Sequence, residues 1–483
     1  MSFVNLQFWL LFLPLCFGLY AAMPGVLSRN AVLLLASLLF YASYDLKYVL
    51  LLLCCTALTY LGGLAGRKNR RVYILTAALN LAVLLVFKYT GFILGNLGAL
   101  LGRFGISLAA PAILLPVGLS FYVFQSCSYL FDLYNGRVEP ERNIINYGLF
   151  VCFFPTVISG PIQKSRELLP QIRQKRPLRY EDFSFFVLCF LWGAFLKLVI
   201  ADRLALMTGR VFSEYYNYHG LILIAGSLAY TMQIYADFAG YSYMAIAVSR
   251  LFGFKLADNF RQPYLAANIQ DFWRRWHISL TSWFTEYLYF PLGGSRRGSV
   301  RRYINIIIVF LVSGLWHGAA WNFVIWGALH GFYQVFGHLS RPWRSRLYGR
   351  LGIDTGSGSF KAGQVLVTFS LVSFAWIFFR SESLVNALVY CRNMLSGFAP
   401  WALFDGSLAA FGIGGLDWAL LLAALALLAL VSALREKGLD SSCILRQPLP
   451  ARALVCWGLL MATLVFGAYG GEYSAGAFIY AGF

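Results

Sequence analysis

Apolar stretches of about 20 residues, the length a helix needs to cross a bilayer, recur along this chain from near its start to near its end. Water offers such segments no stable place. In a membrane each must satisfy its backbone hydrogen bonds internally, as helices do. Candidate stretches are residues 6–23, 30–45, 48–66, 72–94, 112–131, 144–160, 183–201, 218–236, 238–254, 303–317, 318–337, 364–380, 416–434 and 453–470. Several are short or interrupted by Gly and Pro, and some of these are expected to be re-entrant. The expected fold is an all-α polytopic membrane protein of about 11 or more transmembrane helices, with re-entrant and amphipathic segments. The first stretch lacks a positively charged leader and many spans follow it, so it reads as a retained helix rather than a signal peptide. A β-barrel would show short alternating segments, and these runs do not alternate.

Hydrophobic residues make up 59% of the chain and charged ones 12%, against about 25% charge in soluble domains. The mean hydropathy is +0.67. The net charge of +19 raises the question of nucleic acid. The basic residues cluster instead in short loops between apolar runs, as cytoplasmic loops do, and no nucleic-acid partner is expected. With the N-terminus outside, Arg29 and the Arg67-Lys68-Asn69-Arg70-Arg71 loop face the cytoplasm. Residues 164–179 and 296–302 are also basic, and strict alternation of every span cannot bring all of them inside. At least one re-entrant segment is therefore expected near residues 112–160. Nine cysteines, mostly in apolar runs and without zinc-type spacing, read as small apolar side chains, with no disulfide framework and no metal site. Residues 341–361 and 381–415 read as loops, and the aromatic tail, 469–483, is expected to fold back onto the helices. The whole chain, 1–483, reads as one integral-membrane unit whose most diagnostic core is 117–331.

Two of the five histidines stand beside tryptophans within that core. His317 follows Arg302 by 15 residues on an apolar run, which on a continuous helix places it about 22 Å from the basic loop, near mid-membrane. Neither Arg nor Lys occurs from 303 to 340. A neutral imidazole there suits a general base, and the alternative is a structural histidine bonded to a backbone carbonyl. His277 lies beside Arg274 and Arg275. Its segment, 263–294, places Trp273, Trp276, His277, Leu280, Phe284 and Tyr287 on one helical face, the pattern of an amphipathic helix at the membrane surface. Asp237, between two apolar runs, is expected to cap a helix or orient a histidine. His330 comes 13 residues after His317, about 220° around an unbroken helix, and so is expected to face elsewhere. His219 and His338 lie at span ends and receive no role.

Further blocks carry a resemblance. They are Val117-Gly118-Leu119-Ser120-Phe121-Tyr122, Phe153-Phe154-Pro155, Ser159-Gly160-Pro161-Ile162, Asp237-Phe238-Ala239-Gly240-Tyr241-Ser242 and Asn259-Phe260-Arg261-Gln262-Pro263-Tyr264. Phe272-Trp273-Arg274-Arg275-Trp276-His277-Ile278-Ser279-Leu280, Leu288-Tyr289-Phe290-Pro291-Leu292-Gly293-Gly294, Ser313-Gly314-Leu315-Trp316-His317-Gly318 and Phe478-Ile479-Tyr480 complete the set. With these blocks the chain resembles the membrane-bound O-acyltransferase family, in the bacterial branch typified by the alginate O-acetylation membrane protein. The resemblance covers nearly the whole chain. It implies a ring of tilted helices around a thin centre, with a tunnel between the two faces. It places the family's essential histidine on His317 and its second histidine on His277. Thr285-Glu286 departs from the pattern, standing where relatives often carry Arg-Asp.

The chemistry that follows is acyl transfer. An acyl thioester, most simply acetyl-CoA, enters from the cytoplasm as a substrate, with no tightly bound cofactor. His317 acts as base on a hydroxyl, and His277 completes proton transfer or binds the donor. Trp316, Asp237, Asn259, Arg274, Arg275 and Trp276 are the expected substrate contacts. The two arginines hold a phosphate-bearing donor or an acidic carrier by charge. The expected setting is the bacterial cytoplasmic membrane and its lipid. The expected partners are a polysaccharide acceptor (alginate, peptidoglycan or cellulose-like) and a separate extracytoplasmic esterase-like acetyltransferase. Alternatives are D-alanyl transfer from a carrier protein to teichoic acid, a lipid-modifying acyltransferase, and a transporter that does no chemistry.

Overall fold

The apolar runs form helices. The computed structural model describes residues 1–108, 111, 113–403, 405–406 and 411–469. In chain order its helices are α1 (Phe8–Ala22), α2 (Val26–Ala42), α3 (Leu46–Ala65), α4 (Arg71–Leu101), α5 (Leu119–Tyr134), α6 (Ile144–Cys152), α7 (Phe154–Val157), α8 (Ser165–Ile172), α9 (Tyr180–Ser213) and α10 (Leu221–Leu251). They continue as α11 (Ile269–Arg275), α12 (Ile278–Phe284), α13 (Ser299–His317), α14 (Trp321–Leu339), α15 (Arg341–Arg350), α16 (Gly358–Arg380), α17 (Leu384–Met394), α18 (Gly415–Glu436), α19 (Ser441–Leu445) and α20 (Leu449–Phe466). Among the described residues, 8 helices are long and apolar enough to cross a membrane, and α1 and α2 are shorter apolar helices. The one pairing of extended backbone among them is a single bridge, Phe260 to Trp276. The protein is a multi-pass helical membrane protein, as the sequence requires. The Phe478-Ile479-Tyr480 block and nearly all of the tail lie outside the described residues.

Four expectations need correction. The spans expected at 218–236 and 238–254 are one helix of 31 residues, α10. Asp237 therefore sits mid-helix and caps nothing. The helix continues because Lys197 pairs with that carboxylate at 2.7 Å. The span expected to end at 201 runs on to Ser213, through a π-helical stretch at Leu196–Ala201. The amphipathic helix expected across 263–294 breaks at Trp276 and His277. Its aromatics are buried in protein rather than held at headgroup level. Residues 341–350 and 384–394, both expected within loops, form α15 and α17.

Long-range contacts bring the Arg29 turn together with residues 137–143 and 164–176. Arg29 donates to the Arg176 carbonyl at 3.0 Å, and Tyr60 to the Arg142 carbonyl at 2.6 Å. Arg173 pairs with Glu141 at 2.6 Å, and Gln171 donates to the Lys255 carbonyl at 2.9 Å. Residues 137–143 and 164–173 are thus neighbours, so the intervening chain enters and returns. This is the expected re-entrant segment, made of α6, α7 and an extended return. Irregular backbone at membrane depth needs partners from the protein. Here Ser37 Oγ accepts from Phe154 N at 3.0 Å, Ser279 Oγ accepts from Ile162 N at 3.0 Å, and Gln125 donates to the Phe150 carbonyl.

Two apolar clusters result. One is built on α1–α8 and extends to Trp283 and Trp316. The other is built on α9, α10, α11 and α16, with Trp326 and Trp376. A close backbone contact lies between α9 and α10. A Cβ on Gly193 would stand 2.6 Å from the Gly240 carbonyl oxygen, and one on Gly240 2.7 Å from that of Gly193. Since both obstacles are backbone, neither can move aside. Gly193→Ala and Gly240→Ala should each cost about 1–3 kcal/mol, read as a lower thermal midpoint of the solubilised protein. Midpoints within about 1 °C of the unsubstituted chain would contradict this packing.

Candidate active site

His277 is built by the break in its segment. Asn268 caps the start of α11, its side chain accepting from Asp271 N at 2.9 Å. The helix ends at Trp276, and α12 begins directly after His277, which adopts φ +44°. Among the described residues only Gln262 shares this left-handed region without being glycine. Such strain in a non-glycine residue gathers at functional sites. The residue that holds it is Asn259. Its carbonyl accepts from Ile278 N at 3.0 Å, while Arg261 N donates to the Arg275 carbonyl at 3.0 Å. Asn259 Oδ1 accepts from Ser279 N at 3.2 Å and Ser279 Oγ at 2.7 Å, and lies 3.3 Å from His277 Nδ1. Asn259 Nδ2 donates in turn to Ser242 Oγ on α10 at 3.3 Å. With Nδ1 as donor, the lone pair of a neutral ring resides on Nε2.

His317 closes α13. Gly318 is extended, and the turn into α14 packs it against Phe323. The His317 ring meets Trp316, Trp326 and Phe379 at centroid distances of 4.8, 5.0 and 5.3 Å. Trp316 also stands 6.1 Å from His277, and Phe238 covers another side of His277 at 4.7 Å. Both histidines are buried, at 0% and 1% exposure. The fold therefore brings them, from segments 40 residues apart, to one indole at the junction of the two apolar clusters.

The other expected residues divide. Asn259 and Trp316 join the two histidines. Trp276 is buried beside them, packed on Phe260 at 5.0 Å and Trp376 at 5.1 Å. Asp237 belongs to an ion cluster in which Lys197 also holds Asp202 at 2.8 Å. Its chain neighbour Phe238 touches His277, while the acid itself pairs with Lys197. Arg275 is half-buried and bound to Asp271 at 3.0 Å and Glu436 at 2.7 Å. Arg274 is exposed beside it. A groove of about 450 Å³ opens near this pair, lined by Tyr264, Lys361, Phe369 and Glu436 among others. Of the candidate residues none lines it. His330, expected to face elsewhere, shares Trp326 with His317, at 5.0 Å from each ring, because the turn at Gly318 lays His317 on that indole; His330 also accepts from Trp273 Nε1 at 3.2 Å.

Sequence reasoning missed Lys88. It is a cation inside the 72–94 apolar run, and an intramembrane charge is by itself a signal of function. In the structure it is buried, donates to the Trp316 carbonyl, and reaches Ser120 Oγ at 3.3 Å. Tyr89 beside it donates to the Leu315 carbonyl at 2.8 Å. A cation at a helix C-terminus interacts favourably with the helix dipole, by up to about 2 kcal/mol where partly buried.

Comparison with known proteins identifies the family of the chain. A sequence model of the membrane-bound O-acyltransferase family matches residues 141–348, which include both histidines. The probable alginate O-acetylase of Pseudomonas putida is 37% identical over 84% of this chain and 82% of its own length. The peptidoglycan O-acetyltransferase of Helicobacter pylori is 34% identical over 78% of this chain and 76% of its own. The teichoic acid D-alanyltransferase of Bacillus subtilis is more distant, at 26% identity over 55% of this chain and 69% of its own.

Glu286, the acid at the departure from the family pattern, anchors an ion cluster on the basic side. It accepts from Lys164 at 2.6 Å and Arg166 at 2.6 Å, with Arg137 at 3.6 Å. Lys164 also donates to Ser282. Asp132 accepts from Tyr287 Oη at 2.9 Å and Ser165 Oγ at 3.1 Å. The cluster thereby staples α5, the return of the re-entrant segment and the residues after α12. Burial acts to raise the Glu286 carboxyl, but the bonds from Lys164 and Arg166 outweigh it and hold the group below the ordinary glutamate value. A depressed acid adds stability above its unfolded pKa, about 4.3, and loses it as pH falls through the folded value. Glu286→Gln should therefore cost about 1–3 kcal/mol at neutral pH, with the difference in thermal midpoint shrinking toward pH 4 and below. A difference independent of pH would refute this role.

Proposed function

The chain belongs to the membrane-bound O-acyltransferase family, and from that premise we propose how its two buried histidines work. It is a multi-pass membrane enzyme, an O-acyltransferase serving O-acetylation of a polymer outside the cytoplasm. The reading of the site rests on one observation: His277 and His317 flank the Trp316 indole at 6.1 and 4.8 Å, away from solvent.

His317 takes the proton of an acceptor hydroxyl while that oxygen attacks the thioester carbonyl. The carbon–sulfur bond then breaks, and the thiolate leaves to take up a proton. A thioester is already activated, so no serine intermediate is needed, and a positioned base typically contributes about 10²–10⁴-fold. His277, turned by Asn259, assists proton transfer or holds the donor. Trp316 and Trp276 form the apolar wall of the route, and Asp237 supports that wall through α10.

The basic face is the cytoplasmic one by its positive charge, and the membrane is the bacterial cytoplasmic membrane. Acetyl-CoA approaches there, drawn by Arg274 and Arg275. It leaves its acetyl group on an acceptor that enters through a tunnel from the opposite face. A separate esterase-like acetyltransferase outside the cytoplasm then passes the group to the polysaccharide, alginate being the leading candidate.

The test uses membrane vesicles containing the full chain and acetyl-labelled CoA. His317→Ala should lower thioester-dependent transfer by at least about 10²-fold, with the protein still present and folded. Undiminished transfer would sink the base assignment, and normal turnover in His277→Ala would reduce that residue to packing. A D-alanyl carrier thioester offered in place of acetyl-CoA should not be consumed. Passage of intact donor without cleavage would make the protein a transporter.

A further inference from the structure

The last turn of α13 faces an accounting problem that the catalytic reading leaves open. Helix carbonyls near a C-terminus lack amide partners four residues on, and membrane depth offers no water to replace them. Gly318 N still bonds the Gly314 carbonyl at 3.1 Å. Past it the chain becomes extended, so the carbonyls of Leu315 and Trp316 have no helical partner. Two consecutive residues of a distant helix supply them. Tyr89 Oη donates to Leu315 O at 2.8 Å, and Lys88 Nζ donates to Trp316 O.

The Trp316 carbonyl belongs to the peptide that carries the His317 nitrogen. Fixing it fixes the plane from which the imidazole departs. Lys88 is further held by Ser120 Oγ at 3.3 Å and lies 5.6 Å from the centre of the Trp316 ring. No carboxylate pairs with it among the described residues. A buried ammonium without a counter-ion is costly to keep, and a neutral donor would cap one carbonyl as well. What holds Lys88 in place is therefore the pair of oxygens it meets, with the C-terminal end of the α13 dipole behind them. The clasp also spans the junction of the two apolar clusters, since Trp316 belongs to the first and the His317 ring packs on Trp326 and Phe379 of the second.

We propose that Lys88, with Tyr89, is a positioning residue for the acyl-transfer reaction, locking the end of α13 so that His317 stays in register for proton transfer. The inference rests on His317 being the base. It assigns Lys88 no contact with substrate.

Full-length Lys88→Met, Lys88→Arg, Tyr89→Phe and His317→Ala are compared in vesicles, measuring kcat, the KM for acetyl-CoA and the thermal midpoint. Lys88→Met should lose about 10²-fold in kcat, the scale set by a misplaced catalytic group, with KM little changed and the thermal midpoint lowered by a few degrees for the carbonyl left bare. Lys88→Arg, which keeps charge and donor, should recover at least a tenth of the rate. Tyr89→Phe, losing one neutral bond, should lose about 3–10-fold in kcat. An unchanged kcat in Lys88→Met, a loss carried by KM, or no rescue by arginine overturns the proposal. If Lys88→Met does not fold, Tyr89→Phe decides, and an unchanged kcat there overturns the proposal. Full activity in His317→Ala would remove the base assignment instead, whatever the lysine variants do.

Discussion

Asn259 holds together the break on which the site depends. Its carbonyl receives the first amide of α12, and its side-chain oxygen receives Ser279 and faces the His277 ring. Remove those bonds and nothing local keeps a histidine at φ +44°. The chain would relax toward the continuous helix that its aromatic spacing favours. In hydrocarbon a strained turn survives only when every polar group around it is satisfied, and a carboxamide is suited to that because it both donates and accepts.

The same requirement explains the irregular parts of the protein. The re-entrant segment is lined by hydroxyls and an amide that answer its freed backbone groups, from Ser37, Ser279 and Gln125. Lys197, Asp202 and Asp237 satisfy one another where α9 takes a π-helical stretch. Glu286 gathers three cations at the edge of the basic face. These departures from plain helix thus coincide with side-chain networks. Acyl transfer fits that setting, since a dry interior strengthens the electrostatic interactions that stabilise a reacting centre.

Much of this was legible in the sequence. Hydrophobic length announced the helices, and the impossibility of strict alternation pointed to a re-entrant segment. His277 and His317 stood out because a polar ring in apolar company must have a partner or a task. Legibility ended where partners are distant in sequence. The pairing of Asp237 with Lys197, 40 residues earlier, turned an expected helix boundary into the middle of α10. The amphipathic pattern over 263–294 was real, yet Asn259 overrode it at a point that periodicity cannot mark. His330 was set apart by helical geometry and brought back by the turn at Gly318. Lys88 carried a local signal, a lone charge in an apolar run, but its meaning lay 228 residues away in the carbonyl it meets.

What the sequence by itself determined is the solvent and the class of fold. Apolar length and charge placement are properties of single segments, and the free energy of leaving water acts on each segment separately. What only the tertiary structure decided is the site. Its geometry depends on pairings between α4 and α13, between α9 and α10, and between residues 259 and 277. Those pairings are chosen by which buried polar groups can satisfy one another once all the helices are in place.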